Sequence, residues 1–263
     1  MTAPGPILCR AAFLLPLAEP FRGERIQDGY ILSEGETIKE VGPYTPEIGQ
    51  RLIQSYGPAL CILGRRQAGE GVSRPQADLD ERQPGEAIPR LPAVLMPAFV
   101  KAHGHDHEQP IIGIAKDQPL TVWLDHAVNP FGGFVNHHHD ELARELGDSP
   151  HAITYRMARL CDIHYGITTS MVHHCTFNKY HCREVAAANE AAGTTMIVAI
   201  GSQDRNYVKE ALDRPEQALA RLDDALALPD LARTSFCPGP DQFFSNSREM
   251  LVPLIDWFEL TID

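Results

Sequence analysis

The stretch Ala93-Val-Leu-Met-Pro-Ala-Phe-Val-Lys-Ala-His-Gly-His105 decides the reading of this 263-residue chain. Ala93 to Val100 is a short apolar run of the kind expected of a strand buried on both faces. Lys101-Ala-His-Gly-His105 follows directly. In an extended segment residues i and i+2 point to the same side. His103 and His105 therefore present two imidazoles to one point just past a strand's carboxyl end. Sites form at that end in barrels and in open α/β sheets. Two neutral imidazoles suit zinc, and also iron, nickel or manganese. By spacing alone, a His-x-His pair in a chain with 12 histidines is more often structural than ligating.

Downstream of this stretch, helix and strand patterns alternate. Helices are expected over 121–127, 140–146, 150–164, 180–192, most of 208–228 with a break near Pro215, and 247–262. A turn is expected at Pro130-Phe-Gly-Gly. Strands are expected over 167–172, 194–200 and 234–237. Four βα units from Ala93 onward imply a parallel sheet with right-handed crossovers. They suit either a small open sheet or half of an eight-stranded barrel.

Upstream, the chain reads as short strands with turns. Ile7 to Leu17 holds an apolar run, Ile26-Gln-Asp-Gly-Tyr-Ile-Leu alternates, and Thr37-Ile-Lys-Glu-Val41 alternates again after Glu34-Gly35-Glu36. Period-two alternation bounded by glycine is a hairpin signal. Between Gln50 and Pro92, glycine, proline and charge dominate, as in a long irregular connection. The expected division is 1–92, strands plus connection, and 93–263, the βα units.

Composition bounds the function. Hydrophobic residues make up 43% and charged residues 22%, enough to bury a sizeable core. The net charge of -12 argues against a nucleic-acid or anionic-membrane partner, because phosphate binding needs clustered cations. No apolar run reaches the roughly 20 residues that span a bilayer. Ala11 to Ala18 is too short and too abruptly ended by Glu19 and Pro20 for a signal segment, so the chain reads as cytoplasmic. Its six cysteines form no CxxC pair and read as reduced thiols.

Four ordered motifs carry a family resemblance. Pro97-Ala-Phe-Val-Lys-Ala-His-Gly-His105 resembles the Pro-Gly-Phe-Val-Asn-Ala-His-Thr-His stretch that opens the barrel of the amidohydrolase superfamily, in its cytosine deaminase, guanine deaminase and chlorohydrolase-like branch. Ile26 to Leu32 with Ile38 to Gly42 resembles the strand-turn-strand of that branch's amino-terminal β-sandwich. Pro119-Leu-Thr-Val-Trp-Leu124 is similar to its Pro-Leu-x-x-Trp-Leu, and Gly166-Ile-Thr-Thr to the start of its second barrel strand. The resemblance implies a partial (β/α)8 TIM-like barrel of about four βα units with an amino-terminal β-sandwich portion.

By the same resemblance, His103 and His105 are ligands of a divalent metal, zinc ahead of iron, nickel or manganese. The implied activity is hydrolysis of carbon–nitrogen bonds other than peptide bonds, as an aminohydrolase of a purine, pyrimidine or triazine-like ring. The partner is then a small heterocycle, with no nucleic acid, no membrane and homo-oligomerisation left open. Cyclic amide hydrolysis or ring dechlorination is the second activity that such a site serves. The family's later histidine ligands, aspartate and proton-shuttling glutamate have no counterpart before Asp263. No catalytic residue is identified, and a truncated, non-catalytic fragment or metal-binding remnant is the rival expectation.

Three residues are expected at the substrate. Glu108 stands where guanine deaminases carry a purine-binding glutamine, which weakens guanine as the substrate. Asp241 of Gly239-Pro-Asp241 stands where the branch often has Gly-Pro-His. His173 and His174 follow the second barrel strand, and His174 is assigned substrate lining against simple packing. His107 reads as a loop residue or a supporting group, and His137-His-His139 as an exposed loop. Asp204 reads as a helix cap, Trp123 and Leu124 as packing, and Cys237 as a core thiol.

Overall fold

The computed structural model describes residues 5–17, 19–63, 88–174 and 176–261. They fall into two compact units, Met1–Pro97 and Ala98–Asp263.

In the first unit the strands β1 (Ile7–Leu14), β2 (Ile26–Glu34) and β3 (Thr37–Pro43) form an antiparallel meander. Two short strands, β4 (Cys61–Ile62) and β5 (Leu91–Leu95), pair parallel to β1, making a five-stranded mixed sheet. The connection expected to be irregular from Gln50 begins inside a helix, α1 (Pro46–Tyr56). Thr45 caps its first turn by accepting from the Ile48 backbone N–H at 3.4 Å, and Pro46 occupies the first position, where no N–H is needed. Ile48, Leu52, Ile53 and Tyr56 recur at helical spacing and meet Leu8, Tyr30, Leu32 and Ile88 of the sheet side. Residues 64–87 of that connection lie outside the described residues.

The first unit also buries one cation. Arg10 donates to both carboxylate oxygens of Asp28, at 2.7 and 2.8 Å, and to the Ile88 carbonyl at 2.9 Å, while Tyr44 covers its guanidinium at 3.9 Å. A fork of this kind satisfies the charge that burial would otherwise penalise.

The run Ala93–Val100 is not one buried strand. It breaks at Pro97 into β5 of the first sheet and β6 (Phe99–Lys101) of a second sheet. Phe99 is 56% exposed and Val100 69%. Proline cannot donate to a ladder, and β6 has one partner strand among the described residues, so neither the backbone nor the faces of this run are enclosed throughout.

In the second unit β6, β7 (Ile167–His174), β8 (Thr195–Ser202) and β9 (Thr234–Pro240) pair parallel in sequence order. A doubly wound sheet reverses direction at a switch point. This one does not, which is the construction of a barrel arc. Before β7 come α2 (Leu120–Trp123), running into a five-residue π-turn, then α3 (Asn129–His137), α4 (His139–Leu146) and α5 (Pro150–His164). The turn expected at Pro130 is thus helical, with Pro130 at the second position of α3, directly after the π-helical segment Leu124–Val128.

α6 (Cys182–Ala192), α7 (Pro215–Leu226) and α8 (Arg248–Thr261) complete the unit. Helix 208–228 is shorter than expected, because Pro215 starts it rather than interrupting it. Even-numbered strand positions, Val172, Met196, Val198, Ile200 and Phe236 among them, join Tyr155, Val185, Leu222 and Met250 of the helices in one core. Odd positions such as His173 take the opposite face, as strand alternation requires.

Candidate metal centre

The segment carrying the histidine pair is clamped by charge. Lys101, the last residue of β6, donates to Asp106 at 2.9 Å and to Asp162 of α5 at 3.0 Å. Arg159, 0% exposed, bonds Asp106 and lies 2.9 Å from Asp162, which also accepts from Ser170 of β7 at 2.9 Å. Two cations thus balance two carboxylates in a buried cluster that ties the loop's entry and exit to α5 and β7. Sequence reading missed this cluster. Its members are far apart in sequence, and charged residues in a helical pattern read as a solvated face.

Between these anchors, His103 and His105 converge. Their Nε2 atoms lie 3.0 Å apart and their rings meet edge to face. At that separation two imine nitrogens face each other across a shared proton or a shared cation. The backbone N–H of His173 donates to the Gly104 carbonyl at 2.8 Å, fastening the loop to β7. The His173 ring sits 4.2 Å from that of His103. Burial, with His103 beside it, holds His105 below the ordinary histidine range. His173 is lowered by burial and by the same two histidines, and Asp241 opposes the shift.

His107 follows on the same side, its ring 5.8 Å from that of His105. Burial pushes it down to about 3, and neither of its ring nitrogens has a hydrogen-bond partner among the described residues. Burial raises the neighbouring Glu108 carboxyl to about 7. Ligand atoms of His105, His107 and Glu108 all lie within 4.8 Å of one another. Unpaired, buried imidazole nitrogens cost free energy unless something accepts their lone pairs. Neutral histidines with a carboxylate are a donor set for zinc and similar ions. The residues present therefore fit a divalent metal.

The remaining candidates divide by location. His174 is 0% exposed, and its Nδ1 accepts from Tyr155 Oη at 2.6 Å and from Asn178 Nδ2 at 2.7 Å, a buried network on the helix-covered face. The surface turned toward the pair belongs to its neighbour His173. Asp241, one residue past β9, is near enough to His173 to affect its charge. Gly239, two residues earlier, approaches β8 so closely that a Cβ there would stand 2.6 Å from the Ala199 carbonyl carbon.

Asp204 accepts from the Ser247 backbone N–H at 2.8 Å and from its hydroxyl, tying the loop after β8 to the start of α8. Trp123 and Leu124 pack on Ile111, Ala127 and Val128. The triplet His137-His-His139 is the junction of α3 and α4 rather than a loop, with His139 only partly exposed.

No protein-family model matches the chain, and no curated protein is significantly similar to it. Solved structures do match. Guanine deaminase from C. acetobutylicum with bound guanine superposes with a TM-score of 0.68 at 16% identity, over 97% of this chain and 51% of the other. Guanine deaminase from Bradyrhizobium japonicum gives 0.67 at 17%, over 98% and 48%. A mutant of atrazine chlorohydrolase TrzN from Arthrobacter aurescens TC1, complexed with zinc and atraton, gives 0.61 at 15%, over 97% and 51%. The chain spans about half the length of each. In fold, nearly the whole chain is therefore similar to about half of the guanine deaminases and atrazine chlorohydrolases of the amidohydrolase superfamily.

Proposed function

We propose that this chain belongs to the amidohydrolase superfamily and carries part of a metal-dependent hydrolase, an aminohydrolase of a purine, pyrimidine or triazine-like ring. The observation that carries the reading is the convergence of the His103 and His105 Nε2 atoms, 3.0 Å apart, just past the carboxyl end of β6. The fold shared with guanine deaminases and an atrazine chlorohydrolase supports it.

In this reading His103 and His105 hold the ion, zinc ahead of iron, nickel or manganese, with His107 and Glu108 beside them. When bound, such an ion supplies Lewis acidity and lowers the pKa of water toward about 7. The chain's own residues do the positioning. Lys101, Asp106, Arg159 and Asp162 hold the loop rigid, so the two imidazoles need not be ordered at the moment of binding. His173 walls one side of the pair. Glu108 stands beside the pair, where its carboxyl can hydrogen-bond a ring nitrogen of the substrate. Asp241 offers a second carboxylate at the same face. A hydrolase of this kind is expected to work in the cytoplasm. No helix of the described residues is long and apolar enough to cross a membrane.

One observation favours a second activity. Glu108 replaces the purine-binding glutamine, and an atrazine chlorohydrolase is among the structural matches, so removal of a ring chlorine is the alternative. The test is to load the purified chain with zinc and measure ammonia release from guanine, cytosine and aminotriazines beside chloride release from a chlorotriazine. Ammonia supports the aminohydrolase, and chloride supports the alternative. Zinc binding without either product reduces the chain to a metal-binding piece, and absence of zinc binding overturns the reading.

A further inference from the structure

A second group of histidines gathers at the amino-terminal ends of three helices. His139 opens α4, His151 lies in the first turn of α5, and His181 and Glu184 flank the start of α6. The His139 Nε2 lies 3.2 Å from Glu184 Oε2, and the His181 Nδ1 lies 3.1 Å from Glu184 Oε1. Two nitrogens thus address the two oxygens of a single carboxylate. Ligand atoms of all three residues fall within 4.8 Å of one another. The Ser149 hydroxyl also bonds Glu184 Oε2 and fixes the carboxylate's orientation.

Two further observations point to a cation rather than to helix capping alone. The other ring nitrogen of His139, Nδ1, faces the Asp140 carboxylate at 3.1 Å. A carboxylate on the far nitrogen of an imidazole is the usual support of a metal-ligating histidine. His151, nine-tenths buried, stacks on His181 with ring centroids 4.0 Å apart, and its Nε2 has no hydrogen-bond partner among the described residues. A helix cap needs neither of these, since one oxygen accepting from the first-turn N–H groups suffices.

We propose that His139, His181 and Glu184 form a second divalent-metal site, distinct from the His103–His105 pair. Two imidazoles and a carboxylate leave a position open and suit zinc, nickel, cobalt or copper(II) over calcium or magnesium, which prefer all-oxygen shells. His181 and Glu184 stand at the start of α6, which Val185 and Ala186 fix in the core, so two of the three ligands are placed before the ion arrives. Asp140 and Ser149 are its supporting groups, and His151 backs His181. The site does not depend on the activity proposed above.

The test begins with the full chain carrying His103→Ala and His105→Ala, which removes the first pair from the count. Zinc and nickel are titrated calorimetrically, and cobalt(II) is followed by its visible absorption. One ion per chain is expected. Adding Glu184→Gln or His139→Gln should weaken it more than tenfold, and Asp140→Asn by about tenfold. Far-ultraviolet circular dichroism checks that each variant is folded, and His139→Gln, at a partly exposed helix end, is the variant least able to disturb the fold. His137→Gln with His138→Gln, in the same triplet, should leave the affinity unchanged. No ion bound by the double variant overturns the proposal. So does binding that survives His139→Gln and Glu184→Gln, or binding lost with His137 and His138 instead.

Discussion

The Lys101 Nζ lies 2.9 Å from Asp106 Oδ1, so the strand leading into the histidine pair and the turn leaving it are joined by one ion pair. The loop between them has little freedom. His103 and His105 then inherit their mutual position from charges that touch neither ring. Asp162 of α5, 2.8 Å from the same ammonium, extends that control to the helix layer.

Arg159 is the member of this cluster with the largest expected effect. It is wholly buried between Asp106 and Asp162. Arg159→Met keeps most of the volume and removes the charge, leaving two carboxylates with only Lys101. The expected loss is about 3–5 kcal/mol of unfolding free energy, the usual cost of breaking a buried pair from one side. Urea denaturation measures it, and a loss below about 1 kcal/mol would show that water or rearrangement satisfies the carboxylates.

Metal affinity should depend on both imidazoles of the first pair. His103→Ala and His105→Ala are each expected to weaken zinc binding at that site by more than about 100-fold, since supporting groups alone are worth 10–100-fold. Equilibrium dialysis in a background lacking Glu184 isolates that site. An unchanged affinity in either variant would remove that histidine from the ligand set.

Cysteine reactivity gives a test of burial. Burial pushes the Cys182 thiol up to about 12, and its Sγ donates to the Lys179 carbonyl at 3.4 Å. At pH 8 it is therefore protonated and shielded. Iodoacetamide labelling mapped by mass spectrometry should leave Cys182 unmodified in the native protein and label it in denaturant. Rapid native labelling would mean that α6 opens locally.

The amino-terminal unit offers a packing test. Leu52 of α1 is fully buried against the sheet. Leu52→Ala should cost about 2–5 kcal/mol, from lost transfer free energy and the cavity left behind. A change within error would mean that α1 contributes little to the unit's stability.

Acid should act on the same unit through Glu40. The Arg51 guanidinium holds its carboxyl below the usual glutamate range, with Tyr30 donating a further hydrogen bond at 2.9 Å. A depressed folded-state pKa contributes stability above the unfolded value, and that contribution is lost as pH falls through the folded one. Glu40→Gln should therefore be less stable than the unmodified protein at pH 7 and equal to it in strong acid. A gap independent of pH would assign the effect to packing instead.

Several parts of the fold were legible from residues alone. Gly193 after an alanine-rich run marks the end of α6, where it adopts φ +74°. Alternation marked β2 and β3, and the order of strands and helices marked the parallel sheet. Thr45-Pro46-Glu47 carries the signals of a helix start, yet the glycines and prolines that follow made the region read as irregular. The spacing of His103 and His105 was enough to place them together, because two residues of extended chain leave few alternatives.

Local sequence, then, determined the alternation of βα units, most of their helices and strands, and the pairing of His103 with His105, since each depends on neighbours a few residues apart, while the barrel-like strand order came from the structure. Only the tertiary structure decided which of His173 and His174 faces that pair, since a one-residue shift in strand register exchanges the two faces. It alone joined Lys101 to Asp162, and His139 to Glu184. Those contacts span 61 and 45 residues, and no short-range pattern encodes a meeting that depends on how whole helices dock.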